Sequence, residues 1–533
     1  MDTNSPFQLP NVSRRTLLRV GASGLAAFGL ASLAGCATDG GALVSPSNGA
    51  SDLIPKRGGV LKIGLIGGGS GEVMSPYTGA TMADHARTPQ VWDTLVTLSP
   101  DLGTVEPSLA EEFSMSDDFL TMTLKLREDV VFHNGKELTA EDVVKNFRAW
   151  TEPDNRNYST FGKKYDADSV VAVDKYTVQA TFNQPWARPF TGLAWASYSI
   201  WTMDAGDFIG TGPFILESFN PGKSSVMVAN PNYWQEGLPY LDRLEILSFN
   251  DNDSLINAVR SGEVQGMAQV PFAQVPAFEA DSTFNVIKAK SPNNSCFLVR
   301  TDEGPFEDVR ARKALKLLAD RQQLIDVALL GNGELGNDLF GPGLQFFDDS
   351  VPVPGQDVDE ARSLFKAAGI LNQEVSLQTA DVSAGMVESA VLFAEQINNT
   401  GLLKVNVKKV DPGAFYDPTQ LWMKSHFTQT DCAPVPSLPA VYQGRTVVFN
   451  ETHWEGPKRE EFDRLLNSAD GVDVGLAQDM WIDAQTIWRE ENGYLAWNSL
   501  NLIDVVTQQV KGIVPHSAEP LGSYRFLNVW LQG

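Results

Sequence analysis

The sequence predicts a mixed α and β protein. Three observations carry this: stretches where apolar and polar residues alternate, longer stretches where apolar residues recur every three or four positions, and an interleaving of the two along the chain. Residues 59–65 (GVLKIGL) read as the first strand, and the glycine-rich run after them as a loop. Residues 121–127 (TMTLKLR) place Met122, Leu124 and Leu126 on one face, the pattern of a half-buried strand. The extended run Val130-Val131-Phe132-His133 ends at the turn dipeptide Asn134-Gly135. Thr139 then caps a helix whose first turn holds Glu141 and Asp142 and whose inward face is Val143, Val144 and Phe147. Further strands are expected at 225–229 and 405–410. Further helices are expected at 309–330, at 359–368 with Gly369 as the stop, at 458–469 and at 476–489. On the last of these, Trp481 and Trp488 fall beside Met480, Ala484 and Ile487 and read as core.

Composition narrows the class. A chain of 533 residues, 43% hydrophobic and 20% charged, has the material for several buried cores and is not a disordered or fibrous sequence. A net charge of −25 argues against a nucleic-acid partner, because neutralising phosphates requires clustered cations. Three cysteines supply no disulfide framework and no four-thiolate zinc site, and five scattered histidines do not favour a metal centre, so no metal and no cofactor is expected. Cys296 and Cys432 are left either to pair or to stay as buried thiols.

Residues 13–36 (SRRTLLRVGASGLAAFGLASLAGC) run from a basic stretch through an apolar segment, 20–34, to a small-residue site. That is the order of an export signal, and the apolar segment falls short of the roughly 20 residues a helix needs to cross a bilayer. Ser13-Arg14-Arg15-Thr16-Leu17-Leu18 resembles a twin-arginine signal, and Leu33-Ala34-Gly35-Cys36 resembles a bacterial lipobox whose cysteine is lipidated. Residues 1–35 are thus expected to be removed, which takes away Arg14, Arg15, Arg19 and Asp2 and leaves the exported part still more acidic. Residues 36–56, rich in Gly, Ser, Ala and Pro, read as a flexible tether with a mean reach of about 25 Å.

Catalytic motifs are tested by spacing. His-Glu-x-x-His and Gly-x-Ser-x-Gly are both missing, the nearest run being Gly68-Gly69-Ser70-Gly71-Glu72. Gly222-Lys223-Ser224 resembles the end of a phosphate loop, but Glu217 stands where its first glycine is required. Gly331, Gly333 and Gly336 match a dinucleotide fingerprint, yet they follow a helix rather than a strand and read as helix-stop glycines. Acids able to pair as a glycosidase dyad occur by chance among 66 carboxylates. No catalytic residue is assigned.

From Val105 onward the chain resembles a known family. VEPSLAEEFSMSDDFLTMTLKLREDVVFHNGKELTAEDVVKNF is similar to the signature region of the extracellular solute-binding proteins of family 5, the dipeptide and oligopeptide type that serves ABC importers. Residues 210–247 carry the Gly-Thr-Gly-Pro-Phe entry, the Asn-Pro-x-Tyr-Trp turn and the Pro-Tyr-Leu-Asp continuation, and LINAVRSGEV follows at 255–264. A helix ending in Asp320-Arg321 and the Ala-Gly-terminated helix 359–369 extend the resemblance, which covers residues 57–533 and is weakest over 371–450.

The resemblance implies a type II periplasmic-binding-protein-like fold, with two lobes in three structural segments joined by a hinge. The first lobe would comprise 57–88, 203–291 and 497–533, with 89–202 inserted in it; the second would be 292–496. It implies a monomeric, non-enzymatic receptor that captures a peptide-like or other small polar solute in the interlobe cleft. That receptor would deliver the solute to ABC permease subunits from the outer face of the cytoplasmic membrane, held there by lipid on Cys36. A sensory receptor without transport and an exported hydrolase on the same fold stand as alternatives.

The family's peptide binders hold a ligand amine with an acid in a Trp-x-x-Asp-Tyr-type segment. Here the corresponding stretch is 430–436, with Pro434 where the acid would be and Asp431 where the Trp would be. This departure opens oligosaccharides, opine-like compounds and metal chelates as ligands beside peptides. Candidate cleft residues are Asp431, the aromatics Tyr77, Trp195, Trp422, Trp454 and Trp497 for flat contacts, and Arg445 and Asn498 for polar ones.

Overall fold

The computed structural model describes residues 54–67, 69–77, 79, 81–411, 415, 423–432 and 437–533. The expected signal peptide, Cys36, most of the tether, Trp422 and Pro434 lie outside the described residues. Pro55–Gly533 form one unit by their internal contacts.

Val60–Ile66 is the first strand, as its alternation predicts, and it lies in the middle of an eight-stranded sheet among the described residues. It runs parallel to Arg243–Phe249 on one side, with Val60 opposite Arg243, and parallel to Gly266–Met267 on the other. Phe214–Asn220 and Ser224–Ala229 extend this sheet at one edge. At the other, Asn498–Thr507 and Phe284–Lys290 pair antiparallel, with Lys290 opposite Asn501. Helix Met82–Val91 packs beside the sheet through a fully buried charge network, in which Arg87 donates to Asp84 at 2.9 Å and to Glu72 at 2.5 Å. Removing one partner from such a network strands a charge in the core, so the loop bearing Glu72 is tied to the helix.

Residues 95–200 build a separate core around an antiparallel sheet with strand order Ala110–Met115, Thr121–Leu126, Thr177–Phe182, Tyr165–Ala172. Helix Ala140–Trp150 covers it, burying Val143, Val144 and Phe147. Asp142 accepts from both the Thr139 N–H, at 3.2 Å, and the Thr139 hydroxyl, at 3.0 Å, closing the cap read from the sequence. The run 130–133 is no strand; a single bridge, Val131 to Glu137, ties its ends around the Asn134-Gly135 turn.

Helices within residues 309–328, 358–400 and 438–491 surround a three-stranded sheet, Phe427–Cys432, Asn294–Val299 and Tyr494–Ala496, and a parallel pair, Glu374–Thr379 with Lys404–Lys409. The helix expected over 309–330 is two. Val309–Leu317 ends, and Asp320 caps Arg321–Ala328 by accepting from Gln323 N–H at 3.0 Å. An Asp inside a helical pattern offers its side chain to a new N-terminus as readily as it continues the old helix. Val358–Ala368 ends at Gly369 in the left-handed region, φ 76°, as its glycine predicts. Gly331, φ 77°, comes after the end of helix Arg321–Ala328, whose C-cap is Leu329 and whose turn away begins at left-handed Leu330, φ 51°. Pro457–Asp470 and Val474–Glu491 form an antiparallel pair whose Trp481 and Trp488 are buried.

His516 lies near the C-terminal end with its Nδ1 accepting from the Ala518 N–H at 3.1 Å. Burial first, then the neighbouring Arg525 charge, pushes its pKa down to about 4. A depressed histidine stabilises the fold above its unfolded pKa of 6.5 and loses that contribution as pH falls through about 4. The stability advantage of the wild type over a His516→Gln variant is therefore expected to shrink by about 3 kcal/mol between pH 7 and pH 4. Denaturant unfolding of both proteins at the two pH values measures it; an unchanged difference refutes the assignment.

Candidate functional site

Between the core of residues 95–200 and the helices around the three-stranded sheet lies a cavity of about 480 Å³, inside the range of about 300–1,000 Å³ usual for small-molecule sites. Its first wall comes from the connections that follow helix Ala140–Trp150 and strand Thr177–Phe182. Gly162 lets the first of these return against the helix end, because a Cβ there would lie 1.8 Å from the Trp150 carbonyl oxygen. This places Thr160, Phe161 and Lys164 at the cavity. The second connection supplies Trp186, Arg188 and Phe190, then Trp195 and Tyr198.

These rings brace one another before any ligand is considered. Trp186 packs on Phe161 at 4.8 Å between centroids and on Phe182 at 5.1 Å, and Phe190 meets Phe113 at 4.8 Å. Lys164 Nζ stands 4.0 Å over the Trp186 face. The Tyr198 hydroxyl is 2.6 Å from that of Thr160, and burial pushes its pKa up to about 12, so it remains a neutral phenol.

The facing wall is built by Phe346, by the start of helix Leu438–Gln443 and by the end of helix Pro457–Asp470. Phe346 has φ 74°, a left-handed conformation costly for an aromatic residue, and is held there from below. Gln485 donates to its carbonyl at 2.8 Å, and the Trp481 ring lies parallel to its own at 6.3 Å.

The two walls touch. Arg188 donates to the carbonyls of Val472, at 2.9 Å, and Ala469, at the C-terminal end of helix Pro457–Asp470, and its guanidinium lies 4.9 Å from the Phe346 ring centre. The Ala187 N–H donates to the Asp470 carbonyl at 2.7 Å, and Lys164 pairs with the Asp470 carboxylate at 3.3 Å. A cation at the C-terminus of a helix meets its negative dipole end, so sequence-distant segments are joined by charge as well as hydrogen bonds.

Of the residues singled out from the sequence, Trp195 lines this cavity. Tyr77 packs edge-on against Trp201 at 6.3 Å, and its carbonyl accepts from the lining residue Arg156 at 3.1 Å. Trp454 is buried against Phe462 and Trp488. Trp497 is fully buried near Phe297 in the core beneath the three-stranded sheet.

Asn498 is fully buried where Tyr494–Ala496 passes into Asn498–Thr507, and its Oδ1 accepts from Ser295 N–H at 2.8 Å. Arg445 pairs with buried Glu451 at 2.7 Å and donates to the Asp431 carbonyl at 3.2 Å. Burial pushes the Glu451 carboxyl up against the pull of that arginine. Asp431 itself lies opposite Ser295 in the sheet register. The structure thus gathers Trp195 with Arg156, Lys164, Trp186, Arg188 and Phe346, none of which the sequence reading had named. Trp186-Ala187-Arg188, a ring and a cation between Pro185 and Pro189, is the local signal that marks this loop.

Comparison with known proteins follows the same lines. The family model described as bacterial extracellular solute-binding proteins, family 5 Middle, matches residues 104–442. Heme-binding protein A of Haemophilus influenzae is 26% identical over 318 residues, which cover 54% of this chain and 58% of that protein. Glutathione-binding protein GsiB of Escherichia coli K12 is 26% identical over 314 residues, 57% of this chain and 61% of that protein. The chain therefore spans about three-fifths of the length of these curated relatives. The structure of the periplasmic binding protein DppA from Helicobacter pylori, in complex with the peptide STSA, superposes with a TM-score of 0.74 at 21% identity. That match covers 90% of this chain and 99% of that one, and gives the fold as that of the type II periplasmic binding proteins. On the extent of the family match, this chain belongs to the bacterial extracellular solute-binding proteins of family 5.

Proposed function

We propose that the protein is the lipid-anchored, extracytoplasmic solute-binding component of an ABC importer, and that it takes its solute in the 480 Å³ cavity. The observation that carries this reading is the pair of walls: one comes from residues 85–198 and the other from residues 345–474, joined across the cavity by Arg188. In this reading 57–88, 203–291 and 497–533 form one lobe with 89–202 inserted, and 292–496 form the other. Strands Phe284–Lys290 and Asn498–Thr507 lead directly into Asn294–Val299 and out of Tyr494–Ala496, so the chain crosses twice, side by side, at the hinge. A solute that touches both walls stabilises the closed form by the contacts it makes only there, and closure reports occupancy to the permease without any bond being broken. Relatives named for heme, glutathione and peptide binding support a solute carrier and leave the solute to be determined.

A cognate solute is expected to raise Tm by mass action and to reduce the radius of gyration in solution. Thermal-shift screening of peptides, oligosaccharides, opine-like compounds and metal chelates, followed by small-angle scattering on the hits, tests this. Chemical turnover of a bound oligomer, or binding without compaction, contradicts it.

Arg188→Ala removes two hydrogen bonds from a charged donor and is expected to lower stability by about 2 kcal/mol, read by chemical denaturation. In the absence of solute its scattering profile should broaden toward an open form. An unchanged profile and stability would show the contact to be incidental.

Cys36 is proposed as the lipidated residue, with residues 1–35 removed. Labelled fatty acid should appear on the expressed protein and vanish in Cys36→Ala, which should leave the membrane fraction; label retained on the variant rejects the anchor.

A further inference from the structure

The charge of the cavity runs against that of the chain. At −25 the protein as a whole repels anions, yet the described residues lining the cavity include Arg156, Lys164 and Arg188 against one carboxylate, Asp470. That carboxylate is engaged by Lys164 at 3.3 Å. The side-chain hydrogen bonds of Arg188 go to the backbone carbonyls of Val472 and Ala469, which satisfy its donors as dipoles, while the carboxylates of Asp470 and Asp473 act on it at longer range. A ligand ammonium entering here would meet three cations and would have to displace Lys164 to reach an acid. A ligand carboxylate would instead meet a net excess of positive charge, carried by side chains that the Tyr77, Gly79, Val472 and Ala469 carbonyls and the Asp470 carboxylate hold in place at the wall.

The rest of the lining is flat and apolar. Phe113 with Phe190, and Phe161 with Trp186, make two braced ring pairs, each 4.8 Å between centroids, and Trp195 lies on the same wall. Phe346 closes the opposite side, its strained backbone held by Gln485. Such surfaces favour ring faces over extended chains, because planar groups bury most area against rings in offset or edge contact.

We propose that the cavity selects an anionic solute with a planar, unsaturated-ring body, an aromatic carboxylate by chemical class, and recognises no ligand amine. This deepens, and rests on, the reading of the cavity as the solute site. The carboxylate sits toward Arg156 and Lys164, and the ring system lies against Trp186 and the Phe113–Phe190 pair.

Calorimetric titration of the purified full-length chain with three ring-matched probes tests it: 1-naphthoate, 1-naphthamide and 1-naphthylmethylamine. Naphthoate is expected to bind at least about tenfold more tightly than the amide, the worth of one charge-assisted hydrogen bond, with the amine weakest. Raising the salt concentration should weaken the acid and not the amide. Arg156→Gln, at an exposed position, is expected to cost the acid about tenfold and leave the amide unchanged, and Trp186→Ala to weaken both. An amide or amine that binds as tightly as the acid overturns the assignment, and so does failure of all three probes to bind. If another solute from the broader screen still compacts the chain, only the solute class falls; if no solute does, the binding reading falls with it.

Discussion

The molecule is organised by a double strand crossing. Phe284–Lys290 and Asn498–Thr507 pair over seven positions within the eight-stranded sheet, and both continue, three residues and one residue away, into the three-stranded sheet. The crossing is sealed by buried amides: Asn294 donates to the Asn498 carbonyl, Asn498 accepts from Ser295, and Leu500 donates to the Asn293 carbonyl at 2.7 Å. Backbone groups taken from water must be paired, so two strands that cross together satisfy each other where a single one would not. Strand Gly333–Leu335 adds a third backbone connection at this seam, pairing antiparallel with the start of Asn498–Thr507, with Leu335 opposite Asn498.

Against that seam the Arg188 contact is a second, weaker tie at the far side of the cavity. It joins a loop to the carbonyl end of a helix, with Lys164 and Asp470 alongside, their side chains 25% and 16% exposed. Because these groups are largely withdrawn from solvent, the tie contributes to stability, and it also brings aromatic rings of both walls together. The same residues, Arg188 and Lys164, also line the cavity with positive charge.

Much of the fold was legible from the chain alone because it is local. The capping pattern at Thr139, the alternation at 60–66 and 121–126, the glycine stop at 369 and the tryptophan face of Val474–Glu491 depend on residues a few positions apart. The break at 318–320 was missed because Asp320 is compatible with either a helix interior or a new cap, and packing chose. The site was far less legible. Tryptophans are as useful to a core as to a ligand, and Trp454 and Trp497 went to cores while Trp186, with the same side chain, went to the cavity wall.

Motifs and composition alone establish the family, the mixed architecture and the acidic character of the chain, since these hold whatever path the backbone takes. Which side chains line the cavity follows from long-range packing alone. Arg188 and Ala469 are 281 positions apart, and Lys164 and Asp470 are 306 apart, so no periodicity links them. Side-chain charge and aromatic area acquire a role when folding removes them from water beside a particular partner, and that partner is set by how two cores meet, which no local pattern encodes.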